Sequence, residues 1–292
     1  MQLSVILVSY NSKIVLQTCL KYLRVKLQEN FSHSDAEIIV VDNNSNDGTA
    51  FWLAKQKDLK SSLLKENLGF GRANNVGLQM AKGKYVLFLN SDVYLKTKID
   101  FPKLLVFLEN NDKAAGLTIK LLLPNGQIDP ASHRGFPTPY NALTYFLGLE
   151  RLTKPVPLLN RLFGGYHLTY RNLKTIHQID SPTAAFFLVK KKVIDHLNGF
   201  DPDYFFYGED LDLSYRIKKL GYSLWYYPYY RAVHLKYQSG KKSSNNQTQK
   251  LSQQSFYKSM LIFYDKHYQH IYPFWLSKLV RQGIKLKEKL SG

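Results

Sequence analysis

A continuous apolar run that ends in an acidic turn is the feature of this sequence that most constrains its fold. Tyr85 to Leu89 are five apolar residues that stand directly before Asn90-Ser91-Asp92. A run of this length bounded by turn signals predicts a strand buried on both faces, as in the centre of a parallel sheet. In open α/β sheets ligands bind beyond the carboxyl ends of the strands, so Asp92 is well placed for a phosphate group or its metal ion. A turn that merely ends the strand is the alternative interpretation.

The segments around this run alternate between strand and helix patterns. Strands are predicted at 3–9, 37–41, 63–64, 115–123, 184–189, 223–227 and 232–235. Helices are predicted at 14–27, 50–56, 72–81, 101–108 and 191–197. This alternation is typical of a doubly wound, mostly parallel α/β sheet, and we expect a small antiparallel part because Pro124-Asn125-Gly126 is typical of a hairpin turn. Regular periodicity fades between residues 129 and 178, so we expect loops that contact the substrate there, through His133, Arg134 and Tyr140.

The charge of the chain is unevenly distributed. The net charge is +18, and residues 231–292 contribute +10 of it, from twelve Lys and Arg against two Asp and Glu. No zinc-ligand spacing, RNP-like strand or helix-turn-helix pattern accompanies this charge, so nucleic acid is not the expected partner. The expected partner is an anionic membrane surface.

The C-terminal segment has the composition of a helix that lies on such a surface. Apolar residues such as Phe274 and Trp275 are interleaved with Lys278, Arg281, Lys285, Lys287 and Lys289, a pattern typical of interfacial helices. The alternative is that the apolar residues pack on the catalytic domain or on a second subunit. In the latter case the chain would form a homodimer. We expect a catalytic domain over residues 1–240 and a basic amphipathic helical tail over residues 241–292.

Location and cysteine use follow from the apolar pattern. No apolar run reaches the 18 residues needed to span a bilayer, and the N-terminus begins as a strand without a leader pattern. The expected location is therefore cytoplasmic, at the inner face of the membrane. The single cysteine, Cys19, falls in an apolar helical pattern and is expected to pack in the core.

Two polar segments invite functional interpretations that are weak in isolation. Gly69-Phe70-Gly71 lacks the third glycine of a dinucleotide-binding fingerprint, although Arg72 in the first helical turn could meet a phosphate. Residues 207–216, YGEDLDLSYR, place Glu209 and Asp210 at a helix start, where simple capping would explain them, and Asp212 four residues before Arg216. A lone histidine on an apolar strand, here His234, is more often a core residue than a ligand.

Taken in order, these segments resemble the family-2 glycosyltransferases of GT-A fold. The resemblance rests on VILVSYN, VVDNNSNDGT, ENLGFGRANNVGL, FLNSDV, GFDPDYFFYGEDLDLSYR and His234. Within the family the chain resembles rhamnosyltransferase-like enzymes of bacterial surface polysaccharides, through SHRGFPTP (132–139) and SFYKSMLIFYDKHY (255–268). The resemblance implies a nucleotide-sugar half at about 1–125 and an acceptor half at about 126–240.

The resemblance also implies roles for individual residues. Asp210 is the general base, with Glu209 beside it, and Asp92 and His234 are ligands of Mg²⁺ or Mn²⁺. Asp42 accepts a hydrogen bond from the base of a nucleoside-diphosphate sugar. The remaining donor-site candidates are Ser9, Asn67, Arg72, Asn75, Asn90 and Ser91, and the acceptor candidates are His133, Arg134 and Asp212.

Two departures from the family pattern limit what is implied. Asn90 stands where the family's metal-binding motif has an acid, so the site has one charge fewer. The QxxRW signature of processive synthases is absent, which favours transfer of one sugar with inversion to a saccharide or lipid-linked acceptor. The expected donor is dTDP-rhamnose, with a UDP-hexose or UDP-galactofuranose as alternatives. A nucleotidyltransferase, or a catalytically weak nucleotide-sugar binding protein, is the rival from another class.

Overall fold

The structure is a computed structural model that describes residues 1–236 and 246–291, without the side chains of 246–251 and 291. The strands are β1 (Leu3–Ser9), β2 (Ala36–Asp42), β3 (Lys60–Leu63), β4 (Tyr85–Leu89), β5 (Val93–Tyr94), β6 (Ala114–Leu122), β7 (His177–Ile179), β8 (Phe186–Lys190) and β9 (Ser223–His234). The helices are α1 (Lys13–Asn30), α2 (Thr49–Leu53), α3 (Phe70–Met80), α4 (Phe101–Glu109), α5 (Pro139–Phe146), α6 (Leu149–Leu152), α7 (Pro157–Phe163), α8 (Lys191–His196), α9 (Glu209–Lys219), α10 (Asn246–His267) and α11 (Phe274–Ser291).

All nine strands join one sheet in the order β3-β2-β1-β4-β8-β6-β9-β5, with β7 paired to β9. The run β3-β2-β1-β4 is parallel, and so is the pair β6 and β9, while β8, β5 and β7 pair with their neighbours in antiparallel fashion. This arrangement confirms the predicted mostly parallel sheet with an antiparallel part.

The apolar run at 85–89 is the central strand that its sequence predicts. All five residues of β4 are buried. Tyr85, Leu87 and Leu89 pack in one core cluster, with α1 and α4, while Val86 and Phe88 pack in a second cluster with α3, α8 and α9. Because successive side chains of a strand point to opposite faces, a strand covered by helices on both sides must be apolar throughout.

Helix α1 contributes its buried side chains at three- and four-residue intervals, which include Leu16, Leu20 and Leu23. Cys19 lies among them, and its thiol donates to the carbonyl oxygen of Val93 at 3.1 Å. Burial raises the pKa of this thiol well above its usual range, with the charge of Asp92 acting in the same direction. Cys19 is therefore a core residue, as its pattern predicts.

Two predictions from the sequence need correction, and a third falls on residues that the structure does not describe. The two strands expected at 223–227 and 232–235 are one strand, β9, whose pairing with β6 shifts register between Tyr227 and Arg231. The segment 129–178 is not irregular throughout, since it holds α5, α6, α7 and β7. The domain boundary expected at 240 lies outside the described residues, but α10 packs on the catalytic body: Phe263, Tyr264 and Tyr268 are buried together with Tyr204.

Candidate functional site

The polar residues that follow β1, β2 and β4 meet at one edge of the sheet, because these strands are parallel and adjacent. Ser9 pairs in register with Asp42, and the Asn43 amide donates to the Ser9 carbonyl at 2.8 Å. Asp42 is buried; its Oδ2 accepts from the Ser45 amide at 3.1 Å, and its Oδ1 has no hydrogen-bond partner among the described residues. A buried carboxylate oxygen without a partner is costly, which fits an oxygen that awaits a ligand donor.

The loop before α3 is held against this edge by asparagine side chains. Asn43 donates to Asn67 Oδ1 at 2.8 Å and accepts from the Leu68 amide at 2.9 Å. Gly69 has φ +83°, and a Cβ at this position would lie 2.3 Å from the carbonyl oxygen of Phe205. Only glycine therefore lets this loop approach the segment that leads into α9.

Asp92, His234 and Asp129 form a buried chain of polar contacts at the end of β4. His234 Nε2 lies 3.4 Å from Asp92 Oδ1, and its Nδ1 lies 2.8 Å from Asp129 Oδ2. Lys236 donates to the other oxygen of Asp129 at 2.8 Å. Burial opposes the charged form of the imidazole, but the two carboxylates outweigh it and raise the pKa of His234 to about 9. For Asp129 burial acts in the upward direction, and His234 and Lys236 overcome it and hold its pKa well below its usual range.

These residues fit a divalent cation that also binds a diphosphate. The side chains described in residues 1–236 and 252–290 hold no group of three His, Cys, Asp or Glu that could bind a metal alone. Asp92 and His234 could supply two ligands, and the Oδ1 of Asn90 is buried without a partner in the described part of the chain. Asp129 holds the imidazole in the way that outer carboxylates orient metal-bound histidines. The remaining ligands would come from phosphate oxygens and water, as is usual for Mg²⁺.

Asp210, the predicted base, lies at the start of α9 and is paired with Arg134. The guanidinium Nη2 donates to Asp210 Oδ2 at 2.6 Å and to the carbonyl of Pro182 at 3.0 Å. Asp210 Oδ1 accepts from the Leu211 amide at 2.8 Å. Both side chains are 10% exposed. The interpretation of Asp210 as a simple cap is therefore replaced by a buried ion pair.

Glu209 stands beside this pair in an apolar environment. Its Oε2 is buried and has no hydrogen-bond partner among the described residues. Burial, and then the neighbouring negative charge of Asp210, raise the pKa of Glu209 to about 8. Glu209 can thus carry a proton near neutral pH, next to the ion pair of Asp210 and Arg134.

One cleft of about 1110 Å³ is lined by many of these groups, although Asp42 and Asp129 are not among its lining residues. Its polar wall includes Asn67, Asn90, Ser91, Asp92, Arg134, Glu209, Asp210 and His234. The sequence therefore predicted most of the polar residues that the fold brings together. It missed Asn43 and Asp129, because an isolated Asn or Asp in a turn gives no pattern by which its role could be found.

Other predicted site residues lie elsewhere. Arg72 is exposed and donates from Nε to the carbonyl of Pro202 at 2.9 Å, so it does not line the cleft. Asn75 is bonded through both its amide atoms to the backbone of Phe200, at 2.7 and 2.8 Å. Ser9 is buried and contacts the Ser12 hydroxyl at 3.0 Å. These three residues support the site from behind and do not line the cleft.

Two of the three acceptor candidates are also structural. The side chain of Asp212 has no exposed surface and binds Arg216 at 2.7 Å, as predicted, and His267 of α10 at 2.7 Å. His133 is buried against the ring of Tyr226, and burial lowers its pKa to about 4. Tyr140, in contrast, is exposed outside the cleft. Only Arg134 lies where an acceptor contact was expected.

Apolar side chains also line this cleft. They include Leu143, Phe146 and Leu147, from α5 and the following turn, and Leu279 and Leu286 of α11. The ammonium group of Lys287 lies 5.7 Å from the centre of the Phe146 ring.

None of the helices that the structure describes combines the length and the apolar character needed to cross a bilayer.

Known proteins match both the sequence and the fold. Residues 4–192 match the model of glycosyl transferase family 2. The rhamnosyltransferase WbbL of Escherichia coli is 27% identical over 57% of this chain and 60% of its own length. The poly(ribitol-phosphate) β-N-acetylglucosaminyltransferase TarS of Staphylococcus aureus is 33% identical, over 45% of this chain and 23% of its own length.

Solved structures share the architecture at low sequence identity. The S. aureus TarS structure with UDP-GlcNAc has a TM-score of 0.56 at 22% identity, over 90% of this chain and 65% of that one. The mannosyltransferase PcManGT of Pyrobaculum calidifontis, solved with GDP-Man and Mn²⁺, has a TM-score of 0.55 at 15% identity, over the whole of this chain and 76% of that one. The fold is thus the GT-A fold. The match of the family model to well over half of the sequence shows that the chain belongs to glycosyl transferase family 2.

Proposed function

We propose that the protein transfers one sugar, with inversion, from a nucleoside-diphosphate sugar to a hydroxyl of a saccharide or lipid-linked acceptor in bacterial surface polysaccharide synthesis. The observation that carries this proposal is that Asp92, His234 and Asp210 line one cleft. A single displacement at the anomeric carbon has two requirements. One is a group that can hold the diphosphate through a cation, and the other is a carboxylate that can take a proton.

The carboxyl ends of β2 and β4 recognise the nucleotide. The unpartnered Oδ1 of Asp42 accepts the N–H of a pyrimidine base, and the Asn43–Asn67 pair fixes the loop beside it. Asn90, Asp92 and His234 would hold a Mn²⁺ or Mg²⁺ ion, and such an ion would supply positive charge for the diphosphate. The Mn²⁺ in the PcManGT structure supports this cofactor.

The acceptor half supplies the base. The acceptor oxygen bonds to the anomeric carbon, the bond from that carbon to the diphosphate oxygen breaks, and Asp210 takes the hydroxyl proton. Arg134 holds the Asp210 side chain in place, because its Nη2 donates to Asp210 Oδ2 at 2.6 Å. Glu209, whose pKa is raised, stays protonated beside it and can donate a hydrogen bond. One displacement with one base gives inversion at the anomeric carbon.

For the donor sugar, L-rhamnose from a dTDP donor has the support of the similarity to WbbL, whose name is that of a rhamnosyltransferase. The TarS structure with UDP-GlcNAc supports a UDP-hexose as the alternative, and UDP-galactofuranose remains a second alternative. A catalytically weak nucleotide-sugar binding protein is the rival function. The presence of Asp210 in the cleft beside Asp92 favours the enzyme.

A panel of dTDP- and UDP-sugars with Mn²⁺ tests this proposal. The purified protein should release nucleoside diphosphate from one donor in the panel, and Asp210→Asn should bind that donor but release far less. Binding of a donor without any release, in the presence of saccharide acceptors, would support the binding protein instead.

The tail helix supports a peripheral position at the inner face of the membrane. Lys278, Lys285, Lys287 and Lys289 of α11 are all exposed. Each basic residue near an anionic surface is worth about 1 kcal/mol, so these four would hold the helix there. The apolar residues of α11 divide between two surroundings: Ile284 is buried, as the packing alternative requires, while Phe274 is 85% exposed.

A further inference from the structure

The large apolar side chains that the fold leaves in contact with solvent are concentrated in two segments. One segment is α5–α7, residues 139–163, and the other is α11 with the turn before it. Leu152 and Leu158 are 74% and 77% exposed, and Phe274 and Trp275 are 85% and 63% exposed. Exposed apolar patches of this kind mark sites of interaction with other proteins or with membranes.

Both segments contribute residues to the wall of the catalytic cleft. Helices α6 and α7 pack on α5. Leu143 and Leu147 of the first segment, and Leu279 and Leu286 of the second, line the cleft and are also exposed. The ammonium group of Lys287 lies 5.7 Å from the centre of the Phe146 ring, so the two segments are adjacent. One cleft thus extends from Asp92 and Asp210 to exposed leucines of both segments.

The charge of both segments has one sign. Between residues 139 and 175 the only acid is Glu150, which is buried and bonded to His167 at 2.8 Å. Arg151, Lys154 and Arg161 of this segment are exposed. In α11 the only acid is Glu288, against five Lys and Arg. Apolar residues ringed by cations complement a bilayer with anionic headgroups, which accepts the leucines below its surface and the lysines at it.

We propose that α5–α7 and α11 together form a lipid-docking surface, which seats on an anionic bilayer so that the catalytic cleft opens at the membrane. This surface, the cleft rim, has two halves on separate parts of the chain, and the tail helix is only one of them. The inference rests on the proposed function for its biological purpose: the hydrocarbon chain of a lipid-linked acceptor lies against Leu143, Leu147, Leu279 and Leu286 while its saccharide reaches Asp210. Binding to the bilayer itself requires no catalysis.

Co-sedimentation with vesicles tests the docking surface. The full chain should bind phosphatidylglycerol-rich vesicles at low ionic strength and bind pure phosphatidylcholine vesicles weakly. Leu152→Ser with Leu158→Ser should weaken binding to the anionic vesicles by roughly tenfold or more, since a buried leucine contributes at least that much. Lys285→Gln with Lys289→Gln should weaken it by roughly fivefold for each residue.

A matched control separates position from loss of apolar surface. Ile14 and Phe51 are 77% and 70% exposed and lie outside both segments and outside the cleft. Ile14→Ser with Phe51→Ser should bind vesicles as the unaltered chain does. All variants should bind a nucleoside diphosphate normally, which shows that they are folded and keeps this test apart from that of the proposed activity.

Three results would overturn the inference. The first is that the unaltered chain does not bind anionic vesicles at low ionic strength. The leucine variant could bind as tightly as the unaltered chain, which would leave the tail as the whole of the membrane contact. The chain could form a dimer that the leucine variant dissociates, with no lipid binding by either protein, which would make a second copy of the chain the occupant of the cleft rim.

Discussion

Arg134 holds the predicted base, Asp210, in a buried ion pair with a distance of 2.6 Å between Nη2 and Oδ2. The two residues are 76 positions apart and belong to different parts of the fold, the turn after β6 and the start of α9. The guanidinium binds one oxygen of the carboxylate, and the other oxygen accepts a hydrogen bond from the Leu211 amide at 2.8 Å. These contacts together set the orientation of the Asp210 side chain.

Loss of Arg134 should destabilise the protein strongly. Arg134→Met leaves the Asp210 carboxylate buried without its cationic partner, and removing one member of a buried pair costs about 3–5 kcal/mol. Lys191→Met, which removes an exposed pair with Asp195, should cost about 1 kcal/mol or less. Denaturation in urea measures both values. Adding Asp210→Asn to Arg134→Met should restore part of the loss, and no restoration would contradict the pairing.

Asp210→Asn should remove most of the activity and keep donor binding. The amide retains the shape of the side chain but does not take a proton, and a general base contributes roughly 10² to 10⁴ in rate. Steady-state turnover and calorimetry with the donor measure the two effects. Turnover near that of the unaltered enzyme would mean that another group accepts the proton.

The contact between Asp129 and His234 should govern metal affinity. Asp129→Asn removes the charge that orients the imidazole, and outer carboxylates of this kind are worth roughly 10- to 100-fold in metal affinity. We expect the Mn²⁺ concentration for half-maximal activity to rise by that factor, and activity to vanish in EDTA. Asp195→Asn, on the exposed surface, is the control. Full activity in chelator would leave Asp92, His234 and Asp129 as structural residues.

Asp42→Ala should weaken binding of the free nucleoside diphosphate and of the sugar nucleotide by the same factor, because the contact is to the base. A hydrogen bond to a charged group is worth about 1.5–3 kcal/mol, or roughly 10- to 100-fold in affinity. Calorimetry with both ligands measures this effect. An effect on the sugar nucleotide alone would place Asp42 near the sugar.

The titration of Glu209 should lower the free energy of unfolding as the pH rises. Its pKa is about 8 in the folded protein, against the ordinary value of 4.5 in the unfolded chain. Between these values the folded state holds the proton and the unfolded state has lost it, so stability declines through this window and levels off above about pH 8. Glu209→Gln removes this decline. Melting temperatures of both proteins from pH 5 to pH 9 should therefore diverge in favour of the variant, and parallel curves would contradict the burial of a protonated Glu209.

The sequence by itself determined the parallel core of the sheet and the polar turns that follow β2 and β4. The apolar run of β4, the alternation before it and the polar turns at Asp42 and Asp92 are local patterns, and burial on both faces of a parallel sheet requires such patterns. Several motifs, each weak alone, together carry the family resemblance. This resemblance predicts that Asp92 and Asp210 lie in one site.

Only the tertiary structure decided which polar residues meet. Asp129 reaches His234, and Arg134 reaches Asp210, across more than 70 positions of sequence, and a single Asp or Arg carries no pattern that names its partner. The same reason explains why Asp212, predicted to meet the acceptor, joins α9 to α10 instead. It also explains why the sequence predicted only one half of the cleft rim. The tail shows an amphipathic pattern of its own, but the leucines of α5–α7 become a surface only because the fold leaves them exposed beside α11.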